Sequence, residues 1–183
     1  MSNTKGFSLL EIIVAIALLA FATSIVVPAL RQRRVTYQRD DLVINLNALM
    51  KLGWEQAIIT GKVHRVWFNL GKNLIEIQVQ QDKNSGQDKS FIRIDSEYLR
   101  PSYEWAQSLQ LKDFFIEGED ELHKHHQTDE VWFFITPDGL TQNVSLNIFD
   151  TQDTQQSDAG AGFSLILNPF TAQFSVQSSF YYP

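Results

Sequence analysis

Apolar residues fall into three regimes along this chain. From Phe7 to Leu30 only one residue, Glu11, carries a charge. As a helix this stretch would run about 36 Å, more than the roughly 30 Å hydrocarbon core of a bilayer. Further on, Leu42, Leu46, Leu49, Gly53 and Ala57 recur every three or four positions, the spacing of one helical face. Gly61 follows as a natural C-terminal stop, so a helix of about 50 residues is predicted. Within it, Pro28 lacks a backbone donor and predicts a bend. A glycine costs about 1 kcal/mol in a helix relative to alanine, and Gly53 is explained by close approach of the helix to a sheet.

From Lys62 onward the period shifts to two. Val63–Phe68 and Leu74–Gln80 predict a hairpin across Asn69–Asn73, because Gly71 and the asparagines suit a tight turn. Further short β-branched or aromatic runs predict strands at Phe91–Ile94, Phe114–Ile116, Val131–Ile135, Val144–Phe149, Phe163–Leu167 and Gln173–Val176. Thr136-Pro137-Asp138-Gly139 is a turn, and the Gln- and Asp-rich segment Asp150–Gly162 predicts a mobile loop. A long helix on an antiparallel sheet gives an α+β fold.

Charge sharpens the division. The whole chain has a net charge of −6, yet residues 61–183 hold nine Lys and Arg against seventeen Asp and Glu, a net of −8. This acidic head disfavours a general nucleic-acid binder, which needs clustered cations. The absence of cysteine excludes disulfides, thiolate metal sites and thiol nucleophiles.

Little in the head points to catalysis. His123, His125 and His126 stand beside Glu119, Asp120 and Glu121, ligand types suited to a divalent metal, but in no known metal spacing. A solvated loop is the preferred reading there, and Asp150, Asp153 and Asp158 are too sparse for calcium. No nucleophile elbow, phosphate loop or dinucleotide fingerprint occurs. Trp54, Trp67, Trp105 and Trp132 read as core or interface residues. No cofactor, metal or enzymatic activity is expected.

The apolar N-terminus admits several readings. Lys5, the run Ile12–Ala20 and the Ala20-Phe21-Ala22 site fit an ordinary signal peptide, which would release a secreted β-domain starting at Thr23. A simple membrane anchor is the second. Both leave Glu11 unexplained, because a carboxylate at mid-bilayer costs about 2.5–3.5 kcal/mol on insertion scales, somewhat less near the interface. The string Lys5-Gly6-Phe7-Ser8-Leu9-Leu10-Glu11 resembles the class III signal motif of type IV pilins and type II secretion pseudopilins. That resemblance implies cleavage by a prepilin peptidase between Gly6 and Phe7, methylation of Phe7, and an assembly role for Glu11. A buried carboxylate tolerates low dielectric when paired with a cation, and the new Phe7 amine of a neighbouring subunit supplies one.

The head pattern, Leu46–Ile59 running into Gly61–Phe68 and the later Phe134–Gly139 turn, is most similar to the H-type minor pseudopilins. Tyr98–Lys124 and Asp150–Gly162 have no counterpart in that pattern. The resemblance implies a leader at residues 1–6, a transmembrane and assembly helix at 7–30, its periplasmic continuation at 31–60 and a β-rich periplasmic head at 61–183. It implies a single-pass inner-membrane subunit near the tip of a pseudopilus that supports protein export. Its partners would be other minor and major pseudopilins, the inner-membrane assembly platform, the prepilin peptidase and the membrane, without nucleic acid. Arg31, Arg33, Arg34 and Arg39 follow the apolar stretch, and the positive-inside rule alone would place the head in the cytoplasm. These arginines are expected to reach lipid headgroups or a partner. The sister reading is a minor pilin of type IV pili serving adhesion, motility or DNA uptake. Gln173–Pro183 contains no Lys or Arg, which lowers the DNA-uptake variant.

Overall fold

The computed structural model describes residues 9–81, 90–94, 100–124, 129–151 and 162–183, with side chains except at 25 and 28–35. Two compact units make up the chain, Met1–Tyr37 and Gln38–Pro183. Helix α1 covers Leu9–Thr60, matching the predicted length, and its backbone stays helical through Pro28. It stops where predicted: Gly61 adopts a φ of 63° and donates its N–H to Ala57 O at 3.0 Å. That left-handed cap is nearly free for glycine and costly for other residues.

The second unit contains two antiparallel sheets. The first has the order β3-β2-β1-β7, from β1 (His64–Asn69), β2 (Leu74–Gln81), β3 (Ser90–Arg93) and β7 (Glu130–Ile135). A short β4 (Ser102–Glu104) pairs with the start of β2. The second sheet has the order β10-β9-β8-β5-β6, from β5 (Leu109–Ile116), β6 (Glu119–Asp120), β8 (Val144–Asp150), β9 (Gly162–Asn168) and β10 (Gln173–Gln177). One turn of helix, α2 (Glu121–Lys124), follows β6.

Every predicted strand exists, but the expected single sheet is two. Sequence reading also missed β4, β6 and the first half of β5. Ser102-Tyr103-Glu104 is too short and polar to signal a strand, and Gln110 and Lys112 dilute the start of β5. The β5–β6 hairpin turns on Glu117 and Gly118, both at positive φ, 51° and 84°. A two-residue turn with both φ values positive matches strand twist. Most of the predicted loop Asp150–Gly162 lies outside the described residues.

One core joins the helix and both sheets. Leu42, Leu46, Leu49 and Ala57 are buried with Val66, Ile77 and Phe133 of the first sheet and Phe114, Leu146 and Leu165 of the second. Burying each such aliphatic or aromatic side chain contributes about 1.5–3 kcal/mol. Phe68 and Phe114 meet edge to face at 5.2 Å, and Phe133 and Phe174 at 6.4 Å, so aromatic pairs stitch the two sheets together.

Gly53 closes the helix onto the first sheet. A Cβ there would lie 2.9 Å from Ile135 Cδ1 and 3.3 Å from Ile77 Cγ2, both in fully buried residues. Gly53→Ala gains about 1 kcal/mol of helix propensity but overpacks this contact by about 1–3 kcal/mol. The variant should therefore melt a few degrees lower, and Gly53→Val lower still, by thermal denaturation followed with circular dichroism. A higher melting temperature for Gly53→Ala would refute the close-packing account.

His64 is 1% exposed, and its Nδ1 donates to Lys62 O at 3.0 Å. Burial holds its pKa below the ordinary 6.5; the Lys62 charge pushes the same way, and the hydrogen bond to the Lys62 carbonyl only partly opposes them. The unfolded chain then binds the proton that the folded chain refuses. Stability is full above about pH 6.5 and falls as pH drops below it. Melting temperature measured from pH 7.5 to 5.0 should drop less steeply for His64→Asn than for the parent; parallel curves would show that another group dominates.

Candidate assembly site

The N-terminal unit presents an apolar cylinder. Leu9, Leu10, Ile12, Ile13, Val14, Ile16, Leu18, Leu19 and Phe21 are all exposed, and at 100° per residue these positions point in every direction around the axis. A helix packed on a protein core keeps one polar face; this one has none from Ile12 to Ala22. Two of its hydroxyls bond back to the helix backbone. Thr23 Oγ1 donates to Ala20 O at 2.9 Å and Ser24 Oγ to Phe21 O at 2.7 Å. Such bonds back to the helix satisfy hydroxyls without solvent.

Glu11 stands in the first turn of α1. There the partial positive charge of the helix N-terminus favours a carboxylate. Gly6 and Phe7 lie outside the described residues, as does the Pro28 side chain. The predicted span Phe7–Leu30 extends beyond the described residues, and among these no helix is long and apolar enough to cross a membrane.

In the head, residues that the apolar stripe did not mark tie α1 to the sheets. Asn47 receives the Phe174 N–H at 2.7 Å and donates Nδ2 to Phe174 O at 3.1 Å, completing the backbone pairing of β10. Tyr103 OH donates to Asp41 at 2.6 Å, and Ser108 Oγ donates to Gln38 at 2.8 Å. Arg39 sits with its guanidinium 4.8 Å from the Phe163 ring centre. One of the four arginines expected at lipid or a partner therefore contacts the head itself. The signal available in the sequence was polar residues spaced through the second half of the helix, but nothing in their spacing names a partner more than a hundred residues away.

The predicted turn at Thr136–Gly139 is present and packed. Trp54 Nε1 donates to Gly139 O at 2.7 Å, and Thr136 N donates to Leu140 O at 2.9 Å. The Thr136 hydroxyl donates to the Asp138 carboxylate, which lowers the pKa of that fully exposed acid. Of the tryptophans, Trp105 is buried and Trp132 is 41% exposed, part of an aromatic outer face on the first sheet. There Arg65 lies over Phe91 at 4.5 Å and Trp132 at 5.3 Å, and its burial lowers the guanidinium pKa.

Of the histidine group singled out in the sequence, His123 lies in α2, whereas His125 and His126 are outside the described residues. Among the described residues, Asp113, Asp120 and His123 place one donor atom each within 4.8 Å of one another. Asp120 and His123 belonged to the predicted group; Asp113 did not. Asp150 is buried at the end of β8, and Asp153 and Asp158 lie outside the described residues.

Comparison with known proteins agrees with the N-terminal reading. Residues 1–27 match the prokaryotic N-terminal methylation motif. No curated protein sequence matches the chain. Two solved structures of the minor pseudopilin EpsH from the type II secretion system of Vibrio cholerae share the fold. One is 13% identical with a TM-score of 0.54, covering 80% of this chain and 99% of that one. The other is 14% identical with a TM-score of 0.50, covering 79% of this chain and 98% of that one. The chain carries a prokaryotic N-terminal methylation motif ahead of an α+β head with the fold of a minor pseudopilin.

Proposed function

We propose that this chain is a minor pseudopilin of a bacterial type II secretion system, a structural subunit rather than an enzyme. The methylation motif over residues 1–27 carries the reading. The all-round apolar surface from Leu9 to Phe21 supports it, since that surface needs lipid or neighbouring helices to cover it. The pseudopilin-like fold of the head adds to this.

In this reading residues 1–6 are a leader removed between Gly6 and Phe7, and Phe7 is methylated on its new amine. Phe7–Leu30 anchors the subunit in the inner membrane, residues 31–60 continue the helix, and the head lies in the periplasm. Glu11 of an incoming subunit pairs with the Phe7 amine of its neighbour, which fixes the axial register of the stack. An ion pair in low dielectric enforces register because separating it leaves two uncompensated charges. The partners are other pseudopilins, the assembly platform and the prepilin peptidase, and Pro28 gives the helix a place to bend.

N-terminal mass analysis of the protein from native membranes should show a chain beginning at methylated Phe7. A chain beginning at Met1 or at Thr23 would exclude the reading. Glu11→Ala should leave the head folded and membrane-inserted while sharply reducing cross-linking to neighbouring subunits. Co-purification with a secretin and other pseudopilins is expected; recovery with retraction and adhesion components instead would assign the chain to a type IV pilus.

A further inference from the structure

We propose that Asp113, Asp120 and His123 form a divalent metal site, suited to Zn²⁺, that clamps the β5–β6–α2 corner of the head. Their donor atoms lie within 4.8 Å of one another and come from three successive elements. Two carboxylate oxygens and an imidazole nitrogen are a zinc-type donor set, with water left to complete four-coordination.

The observation that goes beyond proximity is the burial of Asp113. Asp113 is 6% exposed, and its carboxylate's one hydrogen-bond donor among the described residues is Asn147 Nδ2, at 2.8 Å. After the break in β5–β8 register between Leu111 and Asp113, Asp113 pairs with the buried Asn147, on the sheet face opposite Phe114 and its partner Leu146. A cation stabilises a buried carboxylate that lies beside a second one. The nearby basic side chains are engaged elsewhere. Lys124 bridges Glu119 and Glu121, and Lys112 Nζ lies 4.2 Å from the Phe180 ring centre and 3.4 Å from Tyr182 OH. Among the described residues Asp113 has no ion pair, and Asp120 has one only with His123, at 2.5 Å.

Donors around a four-coordinate zinc lie about 3.3 Å apart at ordinary bond lengths, so the His123–Asp120 contact opens by about 0.8 Å to admit it. The exposed His123 side chain is free to make that move.

Untagged full-length protein in detergent micelles should bind one Zn²⁺ per chain by isothermal titration, with a rise in melting temperature of several degrees. Asp113→Asn, which keeps an oxygen for Asn147, and His123→Ala should each weaken binding at least about tenfold. His125→Ala and His126→Ala should change it less than about twofold. If Asp113→Asn misfolds, Asp120→Asn and His123→Ala, altered at less buried positions, carry the test. No saturable binding, or equal losses from His125→Ala and His123→Ala, would overturn the site and leave the pseudopilin reading untouched.

Discussion

The head depends on one seam, where the second half of α1 meets two sheets at once. Leu42, Leu46, Leu49 and Ala57 lie in one buried cluster with apolar side chains of both sheets. The helix is thus shared property of two layers, and its distance from the first sheet is set by the missing side chain at Gly53. Packed interiors tolerate little change in volume, so this seam fixes the head as a unit. Polar contacts then set the helix's rotation and position along its axis: Asn47 satisfies both backbone groups of Phe174, and Trp54 reaches Gly139. Apolar contacts slide at little cost, whereas a buried amide that loses both its backbone partners does not.

The first half of α1 obeys the opposite rule. Its exposed leucines, isoleucines and valines have no preferred face, so no single protein surface could cover them. Lipid covers every direction equally, and a bundle of like helices covers several. That geometry favours a segment whose partners are solvent-like or repeated, and Glu11 is the one charged residue within the apolar run.

Much of this was legible in the sequence because the relevant signals are periodic or local. The four-and-three spacing of Leu42 to Ala57 identified the buried face, Gly61 marked the helix end, and Asn69–Asn73 and Thr136–Gly139 marked turns. What escaped notice depended on pairing. Ser102–Glu104 becomes a strand because β2 offers an open edge, and the start of β5 because β8 does. The division into two sheets was hidden because alternation tells which residues face inward but not which strand is the neighbour. Asp113 escaped for the same reason: in sequence it is one acid among many, and only the break in β5 register and its pairing with Asn147 mark it as buried.

The C-terminal segment shows how far pairing can revise a reading of polarity. Asn147 and Ser164 lie on the central strands of the second sheet, on the face turned away from the helix, where solvent would be the natural partner. Both are fully buried. Tyr181 donates its N–H to Asn147 at 3.1 Å and to Ser164 at 2.8 Å, and its carbonyl accepts from Asn147 at 3.0 Å. Phe180 occupies the space that a side chain at Gly162 would fill, and Tyr182 meets Phe115 edge to face. The last residues therefore cover this part of the second sheet's outer face, using backbone groups to satisfy side chains that would otherwise be buried without partners. Polar residues on a strand face predict solvent only when no later segment returns to cover them, and that return is encoded in Phe180, Tyr181 and Tyr182, which are aromatic where a free tail would be polar.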